Sequence, residues 1–297
     1  MNYLNKEIEQ VALSGNNNDR VNRILSYKWI GYGKAREIHQ KMEYLLIHPK
    51  VMRMENMLLI SHTNNGKTQC LQRFFDAHKP VIVPETERIT IPVLYVQAPY
   101  KPDERLFFIK ILEALNAPFN IREKAIPLAK QVEVILGKVE TKILIIDEVH
   151  NILAGAYLSQ RTFLNMLKNM ANDLQIVIIG SGIKDALSAI NTDAQLANRF
   201  EPAILPRWTM DEEYLRLLTS FESILPLKKP SNLTDEGLAM KILSLSGGII
   251  GEISTILKKA AIQAITSKKE YIDLSLLGKI PYVGPDYRQK QYESLVV

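Results

Sequence analysis

Short, uninterrupted apolar runs recur along the first two-thirds of the chain: MLLI at 57–60, VLYV at 93–96, ILII at 143–146 and IVII at 176–179. A weaker fifth, AILP, lies at 203–206. Strands buried on both faces read as continuous apolar runs rather than as alternation. Each of the first four is followed by a stretch with helical spacing, and such βαβ repetition predicts a parallel sheet covered by helices on both faces. Ahead of it, Ile30, Ile38, Met42 and Leu45 space an amphipathic helix over about 27–46, entered through the irregular WIGYG. Residues 1–24 are polar, carry an NNND run, and read as a partly ordered arm. After Trp208 the pattern becomes helical, at 210–225, 233–248, 249–269 and 271–279. Thr234 is the expected N-cap of the second of these, with Gly247 and Gly248 as its stop. The expected segments are an arm over 1–24, an α/β core over 25–209, a helical lobe over 210–280 and a tail over 281–297.

Composition narrows the class. The 297 residues are 46% hydrophobic and 23% charged, which suits a globular chain with a full core and one smaller lobe. No run approaches the roughly 18 apolar residues of a membrane span, and MNYLNKEIEQ lacks the apolar stretch of a signal peptide. The single cysteine, Cys70, forbids an internal disulfide and suits a reducing cytoplasm. A net charge of +5 is compatible with a phosphate-backbone partner without requiring one.

The chemistry concentrates in four places. SHTNNGKT, Ser61 to Thr68, lies between a strand and a helical stretch, where a phosphate loop needs inward N–H groups and a helix N-terminus. Lys67 is placed to reach the β- and γ-phosphates and Thr68 to ligate Mg²⁺. Gly66 allows close backbone approach, and Asn64 and Asn65 tolerate left-handed conformations. Ser61 departs from the usual first glycine. In ILIIDEVH, Asp147 is placed to hold Mg²⁺ and Glu148 to polarise an attacking water. His150 reads as a residue packed behind these acids rather than as a metal ligand. IVIIGSG offers Ser181, either a γ-phosphate sensor or an ordinary strand-to-loop serine. AQLANRFEP offers Arg199, either an arginine finger for a neighbouring subunit or a cation favoured by a helix C-terminus.

These four motifs, in this order and before a helical lobe, resemble the AAA+ ATPases. The segments WIGYGKA, LLISHTNNGKTQ, IIDEVHNILAG, TDAQLANRFEPAILPRW, SFESILPL and GGIIGEI narrow the resemblance to the TniB/TnsC regulators of transposition, over about Arg20 to Lys268. It implies an α/β fold: a P-loop core with a five-stranded parallel sheet flanked by helices, plus a small all-helical lid. It also implies Mg²⁺-dependent ATP hydrolysis by Lys67, Glu148, Ser181 and, in trans, Arg199. Ser61, Asn64, Asn65, Gly66, Lys67, Thr68 and Gln69 would bind nucleotide, Thr68 and Asp147 the metal, and Trp29 and Ile30 (with Tyr32) the adenine, unless these last simply pack in a core. Family members assemble on double-stranded DNA as rings or filaments and recruit a transposase and target-selection proteins. Lys101, Arg105, Arg122, Lys124 and Lys130 are the matching DNA-backbone candidates, or else solvated surface charges. Gly251 or Glu252 stands where many AAA+ lids carry a sensing arginine. Other readings of the same motifs are a replication initiator or helicase loader, a non-catalytic ATP switch, and a P-loop kinase for a small metabolite.

Overall fold

The computed structural model describes residues 3–26, 28–85, 87–154, 156–190, 198–285 and 287–288. Most of the expected tail lies outside the described residues. The chain divides into two compact units: Lys34–Leu205, and Met1–Gly33 together with Pro206–Val297.

The first unit is built on five parallel strands. They are β1 (Asn56–Ser61), β4 (Val93–Gln97), β5 (Ile143–Asp147), β6 (Val177–Gly182) and β7 (Phe200–Leu205), in the order β4-β5-β6-β1-β7. β1 and β5 are buried along their whole length, as expected of interior strands covered on both faces. The weak fifth run begins earlier than the sequence suggested, because Phe200 already pairs with Asn56. Helices α4 (Lys67–Ala77), α5 (Glu104–Ala114), α6 (Ala125–Lys138), α7 (Tyr157–Leu174) and α8 (Lys184–Ile190) connect the strands, and a 3₁₀ turn spans Val149–Ala154. One core holds Leu58, Val96, Phe107, Ile146, Phe163 and Ile178, with the Phe107 and Phe163 rings edge-to-face at 5.2 Å.

Two features depart from the sequence reading. The helix expected from about 27 starts at Gly33 instead (α3, Gly33–Ile47), after irregular backbone at Lys28–Tyr32. A two-stranded antiparallel hairpin, β2 (Val81–Val83) and β3 (Arg88–Thr90), lies between α4 and β4. Its Val81, Ile82 and Ile89 are exposed, so no burial pattern announced it.

The second unit is helical. Residues 1–24, expected as a polar arm, form α1 (Lys6–Ser14) and α2 (Asn17–Leu25). The NNND run is the start of α2: Asn16 caps the Asp19 N–H while the Asp19 carboxylate accepts from the Asn16 N–H, a reciprocal capping box. α9 (Glu212–Glu222), α10 (Glu236–Ser246), α11 (Ile250–Thr266) and α12 (Leu274–Leu277) complete the unit. Ile24 of α2 joins their core beside Tyr214, Leu218, Ile253 and Leu257. α10 is capped by Asp235 rather than Thr234, since the Asp235 carboxylate accepts from the Leu238 N–H. Gly247 ends it in the left-handed region, and at Gly248 (φ 71) a Cβ would lie 2.3 Å from the Trp208 carbonyl oxygen, so only glycine fits. No single helix among the described residues is long and apolar enough to cross a membrane.

Arg20 locks α2 into this unit. It is fully buried, donates through Nε and Nη2 to the Pro226 carbonyl (2.9 and 2.8 Å), and grips both Glu270 oxygens. Burial pushes the Glu270 carboxyl up, but the Arg20 hydrogen bonds and the Lys228 N–H outweigh it and hold the group below its ordinary range. A depressed folded value means this stabilisation is complete above the ordinary carboxylate range and is lost as pH falls through the folded value. Glu270→Gln strands a buried guanidinium, so it should cost about 3 kcal/mol at neutral pH in denaturant unfolding. The gap between the two proteins should close on acidification.

Candidate functional site

Because all five strands are parallel, β1, β5 and β6 deliver their C-terminal residues to one edge of the sheet. The chain leaves β1 toward β4 on one side, while β7 lies on the other, so the loop after β1 opens where the winding reverses. Register sets the details: Leu59 lies opposite Ser181, and Gln97 opposite Asp147.

The loop after β1 takes positive φ at Asn64 (60°) and Gly66 (88°), and Gly66 serves as the N-cap of α4. These are the left-handed positions that a loop curling round an anion requires, and asparagine and glycine are the residues that adopt them cheaply. Ser61 is not among the positive-φ residues, so its backbone needs no glycine. Its hydroxyl bonds the His62 carbonyl at 2.9 Å and stands 3.3 Å from Lys67 Nζ. Lys67 Nζ also donates to the Ser61 and His62 carbonyls at 3.2 and 3.1 Å, which folds the ammonium over the loop. Asn65, buried, ties the loop to the end of β7 through Nδ2 and the Leu205 carbonyl at 3.0 Å. Burial pushes the Lys67 ammonium below the usual lysine range, and the nearby Glu148 and Asp147 carboxylates oppose that shift.

Asp147 is the point on which the site converges. Its Oδ2 accepts from Thr68 Oγ1 at 2.8 Å and from the Tyr95 hydroxyl at 2.7 Å, while Oδ1 accepts from the Glu148 N–H at 2.9 Å. Burial, then the Asp147 contact, raises the Tyr95 phenol well above its ordinary range, so it remains a donor. Tyr95 went unread in the sequence. A tyrosine inside VLYV looks like packing, and only its position on the strand beside β5 signals otherwise.

The residues fit a magnesium-bound triphosphate. A hydroxyl and a carboxylate oxygen stand side by side at the start of α4, the hard oxygen donors Mg²⁺ prefers alongside phosphate. Ser181 Oγ, fully buried on β6, has no hydrogen-bond partner and suits a further phosphate oxygen. Phosphate oxygens and water would complete the coordination around the Thr68 and Asp147 donors. Gln69 lies exposed on the first turn of α4.

The remaining candidates lie elsewhere. Arg199 immediately precedes β7, and its carbonyl accepts from the Asn56 N–H at the start of β1. That is the opposite edge of the sheet, about 16 Å of strand from the phosphate loop. Its Nη1 donates to Asn172 Oδ1 at 2.6 Å, while the buried Nε has no partner. Trp29 and Ile30 belong to the helical unit, where Ile30 packs against the core and Tyr32 meets Trp208 edge-on at 5.0 Å. Arg105 holds the Ile121 and Glu123 carbonyls of the loop between α5 and α6, which carries Arg122 and Lys124 exposed. Lys101 pairs with Asp103 at 3.7 Å and Lys130 with Glu133 at 3.1 Å.

The model of the family described as bacterial TniB protein matches residues 20–210 of this chain. The chain belongs to the TniB family. Solved structures place the fold among AAA+ ATPases. The ORC2 protein of Aeropyrum pernix, in its ADPNP and ADP complexes, superposes with TM-score 0.62 at 17% identity, covering 88% of this chain and 72% of that one. Cdc6p of Pyrobaculum aerophilum gives 0.61 at 17% identity, covering 84% and 67%. Aeropyrum pernix ORC1 in complex with DNA gives 0.55 at 12%, covering 91% and 69%. No curated protein matches the chain in sequence. This TniB-family chain is an ATPase of the AAA+ type.

Removing the Tyr95 hydroxyl should loosen Asp147 without touching the loop. Tyr95→Phe is therefore expected to weaken ATP binding about tenfold in millimolar Mg²⁺ and hardly at all in chelator. Titration calorimetry in both conditions checks this, with Lys67→Ala losing affinity in each.

Proposed function

We propose that this protein is a Mg²⁺- and ATP-dependent regulator of DNA transposition. It assembles on double-stranded DNA in its ATP state as a ring or helical filament, recruits a transposase and target-selection partners, and disassembles when ATP is hydrolysed. The observation that carries the reading is the convergence of Lys67, Thr68, Asp147 and Glu148 at one sheet edge in a chain of the TniB family.

In this reading the loop N–H groups and Lys67 bind the β- and γ-phosphates. Thr68 and Asp147 would hold Mg²⁺, which would supply charge neutralisation at the phosphate oxygens. Glu148 orients and deprotonates a water, whose oxygen forms the new bond to the γ-phosphorus as the bond to the β-phosphate oxygen breaks. Ser181 donates its otherwise unpaired hydroxyl to a γ-phosphate oxygen. Arg199 stands too far from its own phosphate loop to touch this triphosphate, so its role is in trans, on a neighbouring copy's γ-phosphate. Arg122 and Lys124, exposed on one loop, suit sequence-independent contacts to phosphate.

The likeness to archaeal ORC and Cdc6 proteins is a likeness of fold and does not carry the initiator reading. A small-molecule kinase would need an acceptor other than water, whereas Glu148 beside Asp147 suits water.

ATP, or Glu148→Gln with ATP, should produce DNA-bound oligomers visible by electron microscopy, and wild type should shed them on hydrolysis. The affinity for duplex DNA should fall steeply between about 50 and 200 mM salt, as counterion release requires. Protein that stays monomeric with ATP and DNA would overturn the reading.

A further inference from the structure

Glu148 lies in a backbone conformation that its own residue type does not favour. Its φ is 59°, left-handed, at the point where β5 ends. Asparagine, aspartate and glycine settle there readily and glutamate does not, so the surroundings must hold it. Three contacts do so. The Glu148 N–H donates to Asp147 Oδ1 at 2.9 Å, its carbonyl accepts from the Asn151 N–H at 3.0 Å, and the 3₁₀ turn from Val149 closes behind it. Val149 seats the turn on the sheet. A Cβ built at Gly182 of β6 would lie 3.1 Å from a Val149 methyl and 2.8 Å from Ala186 Cβ, while one at Gly180 would crowd Leu58 Cδ1 at 3.0 Å and only touch Val149 at 3.5 Å. Gly182 of IVIIGSG therefore makes room for the turn that carries Glu148.

Backbone contacts fix where the Glu148 side chain starts; they do not fix where its carboxylate ends. That falls to His150. Its Nε2 lies 3.0 Å from Glu148 Oε2, with both side chains about one-third exposed or less. Its Nδ1 is buried with no hydrogen-bond partner. A carboxylate only accepts, so the proton on this contact belongs to Nε2. The ring thus holds the Glu148 carboxylate through Nε2. The turn delivers the two side chains, two residues apart, to one side while Val149 between them points into the core.

We infer that His150 is the positioning residue for Glu148, holding the carboxylate in the rotamer that meets the attacking water; the inference rests on the reading of Glu148 as the general base. A freely rotating glutamate spends little of its time aligned, and misplacement of a catalytic group by about an ångström can cost on the order of a hundredfold in rate. His150 acts through Glu148 rather than through Lys67 or Thr68, so nucleotide binding should not depend on it.

The test is steady-state ATP hydrolysis with saturating duplex DNA, alongside calorimetric ATP affinity. His150→Ala should lower kcat at least about tenfold while KM and the ATP dissociation constant stay within about twofold. His150→Gln, whose amide nitrogen can replace the Nε2 donor, should recover most of the rate and covers the case in which the alanine variant folds poorly. In a Glu148→Gln background, losing His150 should change nothing further, because the group it positions is already gone. Wild-type kcat in His150→Ala, an increase in kcat, a loss of equal size in the Glu148→Gln background, or no recovery by glutamine would each overturn the inference. If wild type shows no turnover, or Glu148→Gln turns over like wild type, the hydrolase reading itself fails. Those results are distinct from a normal Glu148→Gln loss with an unaffected His150→Ala.

Discussion

Everything at the candidate site hangs on a single buried carboxylate. Asp147 accepts from Thr68, Tyr95 and the Glu148 N–H, and each of those donors comes from a different structural origin: the first turn of α4, the neighbouring strand β4, and the turn after β5. A buried carboxylate without partners is strongly unfavourable, so satisfying Asp147 forces these three elements into one arrangement. The arrangement that satisfies it also places the Thr68 hydroxyl, Lys67 and Glu148 around one small volume. Stability of the fold and readiness of the site are therefore the same constraint.

The sheet order makes that constraint achievable. Only with β1 inserted between β6 and β7 does the loop after β1 open beside the strand bearing Ser181, with β5 one strand further on. The same order explains why Arg199 is remote. Parallel strands put chain starts at one edge and chain ends at the other, and Arg199 precedes β7. An arginine at the starting edge lies away from the chain's own phosphate loop, as the in-trans role proposed above requires.

Much of this was legible in the sequence because it rests on local chemistry. Continuous apolar runs marked the strands, and strand–SHTNNGKT–helix marked the loop, since left-handed positions need asparagine or glycine at Asn64 and Gly66. Less legible were features set by tertiary pairing. Tyr95 is one aromatic in an apolar strand until β4 is known to lie beside β5. The N-terminal helices read as polar because they bury few apolar side chains, chiefly Ile8, Ala12 and Ile24, and because their deepest anchor, Arg20, is charged. The NNND run is a cap, which looks like a loop when the helix behind it is short of apolar residues. The hairpin at Val81–Thr90 gave no pattern, since Val81, Ile82 and Ile89 face solvent. DNA contacts stay illegible for a different reason: lysines paired with neighbouring carboxylates and lysines awaiting phosphate look identical in sequence.

The helical unit settles one departure that the motifs raised. Where AAA+ lids often present an arginine, α11 has Glu252 in its first turn, and this carboxylate is almost fully buried. It accepts from the Tyr282 hydroxyl at 2.7 Å and pairs with Arg288 at 2.6 Å. The pairing holds the Arg288 guanidinium above even its usual high range, through the hydrogen bond to Glu252 first. A buried anion paired with Tyr282 and Arg288 serves to fasten those residues to α11. In the α/β unit, the Ser181 hydroxyl and the buried Arg199 Nε are among the groups with unspent hydrogen-bonding capacity. On the function proposed above, Ser181 would meet the γ-phosphate from inside the site and the Arg199 guanidinium would serve a neighbouring copy, so that nucleotide state would be coupled to assembly without a sensing arginine at this lid position.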